Sequence, residues 1–248
     1  MRTFGSIRRS PLHACLEELN PEWGEIHSMK VPLRFKDAAR ETQLKSELAL
    51  CDLSCLPRMS VKGPESPVWL ERAGIPVSDQ LYGCRPLADS GLVIRTDRQE
   101  VFLEDGPGGQ RVSGFERQLS SQPSPPGVCW VRRQDASFQL TGARANAVLR
   151  ETCGVDFTQP PDGVVMTRVA GVSCMVLPFQ VDETPAYRLW FDPSYGPYLW
   201  DALLEIVRDH GGDAIGSSLQ EISKHIHEST DLTATIELGP CGGPCATR

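Results

Sequence analysis

Residues 59–77 and 138–156 read as two copies of one unit. Each holds a short alternating stretch, a glycine and a helix-length apolar stripe. At an offset of 79 positions Gly63 falls on Gly142 and Leu70 on Leu149. A unit that recurs once predicts two similar modules packed side by side, whereas a solenoid needs more copies to bury its faces.

Around this repeat the local patterns extend in parallel. In the first half, residues 36–50 place Leu44, Leu48 and Cys51 at helical spacing, so an amphipathic helix is expected there. A strand over 58–62 and a helix over 64–73 follow, with Pro64 suited to the first helical turn. Strands at 91–95 and 100–103 are joined by a turn at 96–99, and 114–119 reads as the remnant of a second helix. The run Ser120–Gly127, rich in serine and proline, reads as a linker. The second half predicts a strand over 137–140 and a helix over 143–151. A hairpin (164–169 with 173–177), a strand at 187–191 and a helix at 193–208 stopped by Gly211-Gly212 complete it. Strand–helix–strand–strand–helix order with antiparallel strands indicates α+β architecture: two ferredoxin-like modules of the βαββαβ type. The expected division is 1–120 for the first module with an N-terminal segment and 121–127 for the linker. The second module takes 128–212, and 213–248 form a C-terminal extension.

Composition narrows the function classes. A formal charge of −7 over 248 residues argues against a nucleic-acid backbone as partner. No apolar run approaches a membrane span, and the N-terminus lacks the apolar core of a secretory signal, so a cytoplasmic protein is expected. Nine cysteines, odd in number and mostly scattered, then read as small buried hydrophobes.

Several stretches carry a family likeness. Ser10-Pro11-Leu12 stands near the start. A helix leads into Ala49-Leu50-Cys51-Asp52-Leu53-Ser54, and a strand leads into Lys62-Gly63-Pro64. Phe191-Asp192-Pro193-Ser194-Tyr195 is followed by Leu199-Trp200-Asp201-Ala202-Leu203-Leu204. In this order they resemble the folate-binding aminomethyltransferase (glycine-cleavage T-protein) superfamily over about residues 10–210. Two departures are informative. Where the resemblance expects paired aspartates on a strand, the chain has Ile94 and Arg95. Where it expects a pterin-binding glutamate, the chain has Arg188. Neither replacement can stabilise an iminium-like carbon or accept the pterin N–H groups. The chain also looks too short for the superfamily's C-terminal barrel domain.

Among the superfamily, a two-module relative without these acids is similar to the gamma subunit of heterotetrameric sarcosine oxidase. This resemblance implies a non-catalytic subunit of a flavin-dependent sarcosine or N-methyl-amine oxidoreductase, assembled with alpha- and beta-type flavoprotein subunits. FAD, FMN, NAD and tetrahydrofolate would then lie in those partners. The other reading is a free-standing tetrahydrofolate-binding aminomethyl transferase. Candidates for contacts to a ligand are Trp69, Arg168, Tyr187 and Arg188. Trp190, Trp200, Tyr195 and Tyr198 could line a pocket or simply fill core.

Metal chemistry has one candidate. His225, His227, Cys241 and Cys245 supply a tetrahedral zinc donor set, but the spacing matches no familiar ribbon, and an exposed helix end with a flexible terminus is the reading the ligand types favour over zinc. Cys51-x₃-Cys55 reads as core filling, Gly106–Gly109 as a turn rather than a phosphate cradle, and Asp52 as a brace for its turn.

Overall fold

A computed structural model describes residues 8–121, 125–181 and 183–217. The chain opens with β1 (Arg8–Arg9), α1 (His13–Glu18), β2 (Glu22–Ile26), β3 (Met29–Arg34), α2 (Ala38–Glu47) and β4 (Ala49–Asp52). A first unit follows: β5 (Arg58–Lys62), α3 (Ser66–Arg72), β6 (Cys84–Leu87), β7 (Gly91–Asp97), β8 (Glu100–Glu104), α4 (Arg111–Ser121) and β9 (Cys129–Arg133). The second unit has the same order: β10 (Ala136–Thr141), α5 (Ala145–Thr152), β11 (Val165–Val169), β12 (Val172–Val181), β13 (Thr184–Phe191), α6 (Gly196–Asp209) and β14 (Asp213–Ala214).

The glycines of the repeat have the same physical task in both units. Gly63 and Gly142 turn the chain from strand to helix at φ +118° and +121°, a region closed to most side chains. A Cβ on Gly63 would lie 2.2 Å from the Gly127 carbonyl oxygen, just before β9. A Cβ on Gly142 would lie 2.5 Å from the backbone of Glu47 and Leu48, just before β4. Each turn therefore presses against the chain that enters the strand beside its own.

That equivalence exposes how the sheets are assembled. The first sheet runs β6-β7-β8-β5-β9 and the second β11-β12-β13-β10-β4-β14. β4 occupies beside β10 the place that β9 occupies beside β5, and both pairs are antiparallel. The N-terminal part of the chain thus contributes a strand to the second sheet before the first sheet is built. Residues 129–133, beyond the serine- and proline-rich run, return to the first sheet. Asp213–Ala214 then add a parallel edge strand outside β4. β6 lies outside the expected hairpins as an extra strand beside β7, whereas β11 and β12 form the hairpin expected at 164–169 and 173–177.

The helix expected over 36–50 is shorter than its stripe suggests. α2 is capped at its start by Asp37, whose carboxylate accepts from Arg40 N at 2.9 Å, but it ends at Glu47. Leu48 is already extended, and all four residues of β4 are buried and paired with β10. The apparent helical spacing of Leu44, Leu48 and Cys51 arose because a fully buried strand has no alternation to betray it. Conversely, the remnant at 114–119 is a helix of 11 residues. A three-stranded sheet, β1-β3-β2, covers the β4 region, and Glu41 ties it in. The buried Glu41 carboxylate accepts from Phe35 N, Lys36 N and Gly216 N.

Strand alternation sorts side chains into two layers. Met59, Val61, Val93, Val101 and Leu103 face the core under α3 and α4. Phe138, Leu140, Val176, Leu189 and Phe191 face the core under α5 and α6, with Leu12, Leu16 and Trp200. The opposite faces meet each other: Leu92, Ile94 and Phe102 of the first sheet form one cluster with Val164, Met175, Leu177 and Trp190 of the second. Helices lie outside and the two sheets face inward, so the seam between the units is a sheet-on-sheet contact.

Candidate functional site

The inward faces carry an unusual share of polar side chains. Arg58, Ser60 and Glu104 on the first sheet, and Ser137, Gln139, Thr141 and Arg188 on the second, are all buried. At their centre is Glu104, which follows Phe102 by two positions and so points to the same side. Its carboxylate accepts from Arg188 Nη1 at 3.0 Å, from Trp190 Nε1 at 2.6 Å and from Arg58 Nε. Arg188 Nη2 donates to Gln139 Oε1 at 3.1 Å.

Arg58 does a second task from the same position. Its other nitrogens donate to the carbonyls of Leu53 (2.7 Å), Ser54 (3.3 Å) and Asp135 (3.0 Å). These carbonyls belong to the two segments by which the chain passes between the sheets, β4 to β5 and β9 to β10. One guanidinium thus satisfies backbone groups at both crossings, where no ladder can reach them.

The side chains of Arg58, Glu104 and Arg188 are only 1%, 1% and 5% exposed, so water does not screen them. Burial pushes the Arg188 pKa down and the Glu104 charge pushes it up; desolvation is the larger cause. Nearby, at the end of β4, Asp52 is also buried. It accepts from Ser54 N (2.9 Å), Ser54 Oγ (2.6 Å) and Ser10 Oγ. Burial raises its carboxyl above the ordinary aspartate range, against the hydrogen bonds to Ser10 and Ser54, which lower it. Asp52 therefore fastens the N-terminal segment to the crossing, the bracing role its position suggested.

The four residues proposed to contact a ligand do not come together. Arg188 lies in the seam. Tyr187, its neighbour on β13, faces the other way, packs on Phe157 and donates to Asn146 Oδ1 at 2.7 Å. Trp69 packs on Phe115 in the helix-side core of the first unit. Arg168 is exposed on β11, at the outer edge of the second sheet. Trp200 is core, against Phe138 at 5.4 Å, while Tyr195 and Tyr198 are exposed. His225, His227, Cys241 and Cys245 lie outside the described residues. Among the described residues no cluster of three or more His, Cys, Asp or Glu side chains could hold a metal. Cys51 and Cys55 sit in an apolar cluster with Leu44, Leu53 and Leu56.

Ile94 is fully buried in the seam beside Phe102, and Arg95 points to the other side of β7. Arg95 instead donates to the carbonyls of Ser78, Asp79 and Arg98. The glycine run 106–109 is closed as an anion cradle by the chain itself: Asp105, fully buried, places Oδ1 2.9 Å from Val112 N at the start of α4. Sequence reasoning missed Glu104. Its signal was a glutamate at an inward position of a strand otherwise apolar, Val101-Phe102-Leu103, and a buried acid in such a place needs a partner.

No family model matches the chain. A curated aminomethyltransferase from Saccharopolyspora erythraea is 23% identical over 240 residues, covering 88% of this chain and 63% of the relative. The glycine cleavage system aminomethyltransferase T of Bartonella henselae superposes with a TM-score of 0.69 at 15% identity, covering 86% of this chain and 61% of that one. A chain of the heterotetrameric sarcosine oxidase from Corynebacterium sp. U-96, solved in complex with pyrrole 2-carboxylate, superposes with a TM-score of 0.59 at 12% identity. That match covers 84% of this chain and 98% of the other. The chain thus spans under two thirds of the length of the aminomethyltransferases it matches and nearly all of the sarcosine oxidase chain. Its fold is the one shared by glycine-cleavage aminomethyltransferases and a chain of heterotetrameric sarcosine oxidase, the relation that the residues at 10–12, 49–54, 62–64 and 191–204 pointed to.

Proposed function

We propose that this chain is a non-catalytic, gamma-type subunit of a flavin-dependent sarcosine or N-methyl-amine oxidoreductase, and that it supports assembly with flavoprotein subunits. The observation that carries this reading is the seam. Arg188, at the position where the resemblance expects a pterin-binding acid, is tied to Glu104 and Gln139 and buried. A guanidinium offers only donors, so it cannot accept the pterin N–H groups. Ile94 offers no charge to a one-carbon unit. The residues present therefore do not suit a pterin, and no chemical step is assigned to this chain. The near-complete coverage of a sarcosine oxidase chain supports the same reading. FAD, FMN, NAD and tetrahydrofolate would be held by the partner subunits. Affinity capture of the tagged chain from its own cells should return flavin-containing chains; recovery of the chain alone would count against the proposal.

A second reading is a free-standing tetrahydrofolate-dependent aminomethyl transferase. It is favoured by the closer superposition on aminomethyltransferase T and by the curated relative. Calorimetric titration with tetrahydrofolate separates the two. The subunit reading expects no binding heat, and saturable binding at about micromolar affinity would favour the transferase.

A further inference from the structure

The layer between the sheets holds more hydrogen-bond donors than the Glu104 carboxylate can use. Glu104 Oε1 takes Arg188 Nη1, and Oε2 takes both Trp190 Nε1 and Arg58 Nε. Arg188 Nε is left buried without a partner, as are Ser137 Oγ and Thr141 Oγ1 on the neighbouring strand. The register places Ser137 beside Trp190 and Gln139 beside Arg188, and alternation puts Thr141 on the same face of β10. Buried polar atoms are normally satisfied, so three unpartnered ones on a single face mark a surface built for more than its present contacts. The carboxylate comes from one sheet, while Arg188 and Trp190 come from the other. A guanidinium and an indole N–H converging on one carboxylate, with a second guanidinium behind it, is charge-assisted recognition of the kind that binds free carboxylates.

We propose that Arg188, Trp190 and Arg58 form a carboxylate-binding site between the sheets and that Glu104 is its resident occupant. A small free monocarboxylate enters the site when that side chain is withdrawn. The proposal stands on the geometry of the seam and is independent of the subunit reading. Its test is chemical rescue of Glu104→Ala by acetate or formate, followed by thermal unfolding at constant ionic strength. The variant should melt below the parent protein. Acetate should raise its melting temperature in a saturable way, while chloride and the neutral isostere acetamide should not. The parent protein should respond to acetate no more than to chloride, and adding Arg188→Met to Glu104→Ala should abolish the acetate response. An equal response to acetate, chloride and acetamide would overturn the proposal, as would a response that survives Arg188→Met. Should Glu104→Ala fail to fold in chloride buffer, recovery on refolding from urea becomes the readout. Recovery greater in acetate than in chloride supports the site, and equal failure in both overturns it.

Discussion

A single carboxylate, Glu104, meets two guanidiniums and an indole where the two sheets touch. Removing one partner of a buried pair leaves the other charge stranded, so Arg188→Ala should cost roughly 3–5 kcal/mol in urea unfolding. Removing Glu104 as well, as in Glu104→Leu with Arg188→Met, should not return that loss, because buried Arg58 and the Trp190 indole are then left without the carboxylate they donate to. Asp52 gives a pH test of the opposite sign to an ordinary ion pair. Its pKa is raised in the fold, chiefly by burial, so the native state holds the proton more tightly than the unfolded chain. Stability from this group is complete below the unfolded pKa of about 3.9 and is lost as pH rises through the folded value. Asp52→Asn should remove that slope, and urea titrations on the acid side will measure it. Burial likewise pushes the Cys55 thiol up to about 12. Together with Cys51 it should resist iodoacetamide in the native state while the exposed Cys129 reacts, a pattern that mass spectrometry will resolve. At this scale the sequence shows Ile94 and Arg188 where the resemblance leads one to expect acids, but not that Arg188 pairs with Glu104. Glu104 and Arg188 are 84 positions apart, and only strand pairing across the seam joins them.

The two turns at Gly63 and Gly142 were legible as a repeat, because matched backbone demands leave matched glycines. The strand that follows the backbone packed on the second turn, β4, was not. Its residues are buried on both sides, so the apolar spacing of 44, 48 and 51 reads equally well as a helix. What decides the matter is pairing with β10, a contact nearly 90 residues away along the chain. Gly142→Ala tests the arrangement at its tightest point. The new methyl would meet the Glu47 and Leu48 backbone at 2.5 Å, at a φ that alanine resists. A loss of about 3 kcal/mol is expected from chemical unfolding, against roughly 1 kcal/mol or less for an alanine at Gly154, which has open space around it. The N-terminal β1-β3-β2 sheet escaped sequence reasoning because its strands are short and carry charges, and its order is fixed by packing over β4.

At the scale of the molecule, the chain enters the second sheet, builds the first and returns to the second, so neither sheet is complete without residues from across a crossing. This was hidden from a linear division at 121–127, because sequence order and sheet membership differ at β4 and β9. In the proposed assembly role, this interlocked pair of sheets keeps its shape while its inner face is occupied by the protein's own ion pairs. The most direct test of that role is sedimentation velocity followed at flavin absorbance, with partner flavoprotein chains mixed with and without this chain. Flavin should sediment in a larger, defined complex only when this chain is added. Flavoproteins that assemble fully and oxidise the N-methylated amine equally well without it, while this chain sediments alone as a monomer, would contradict it.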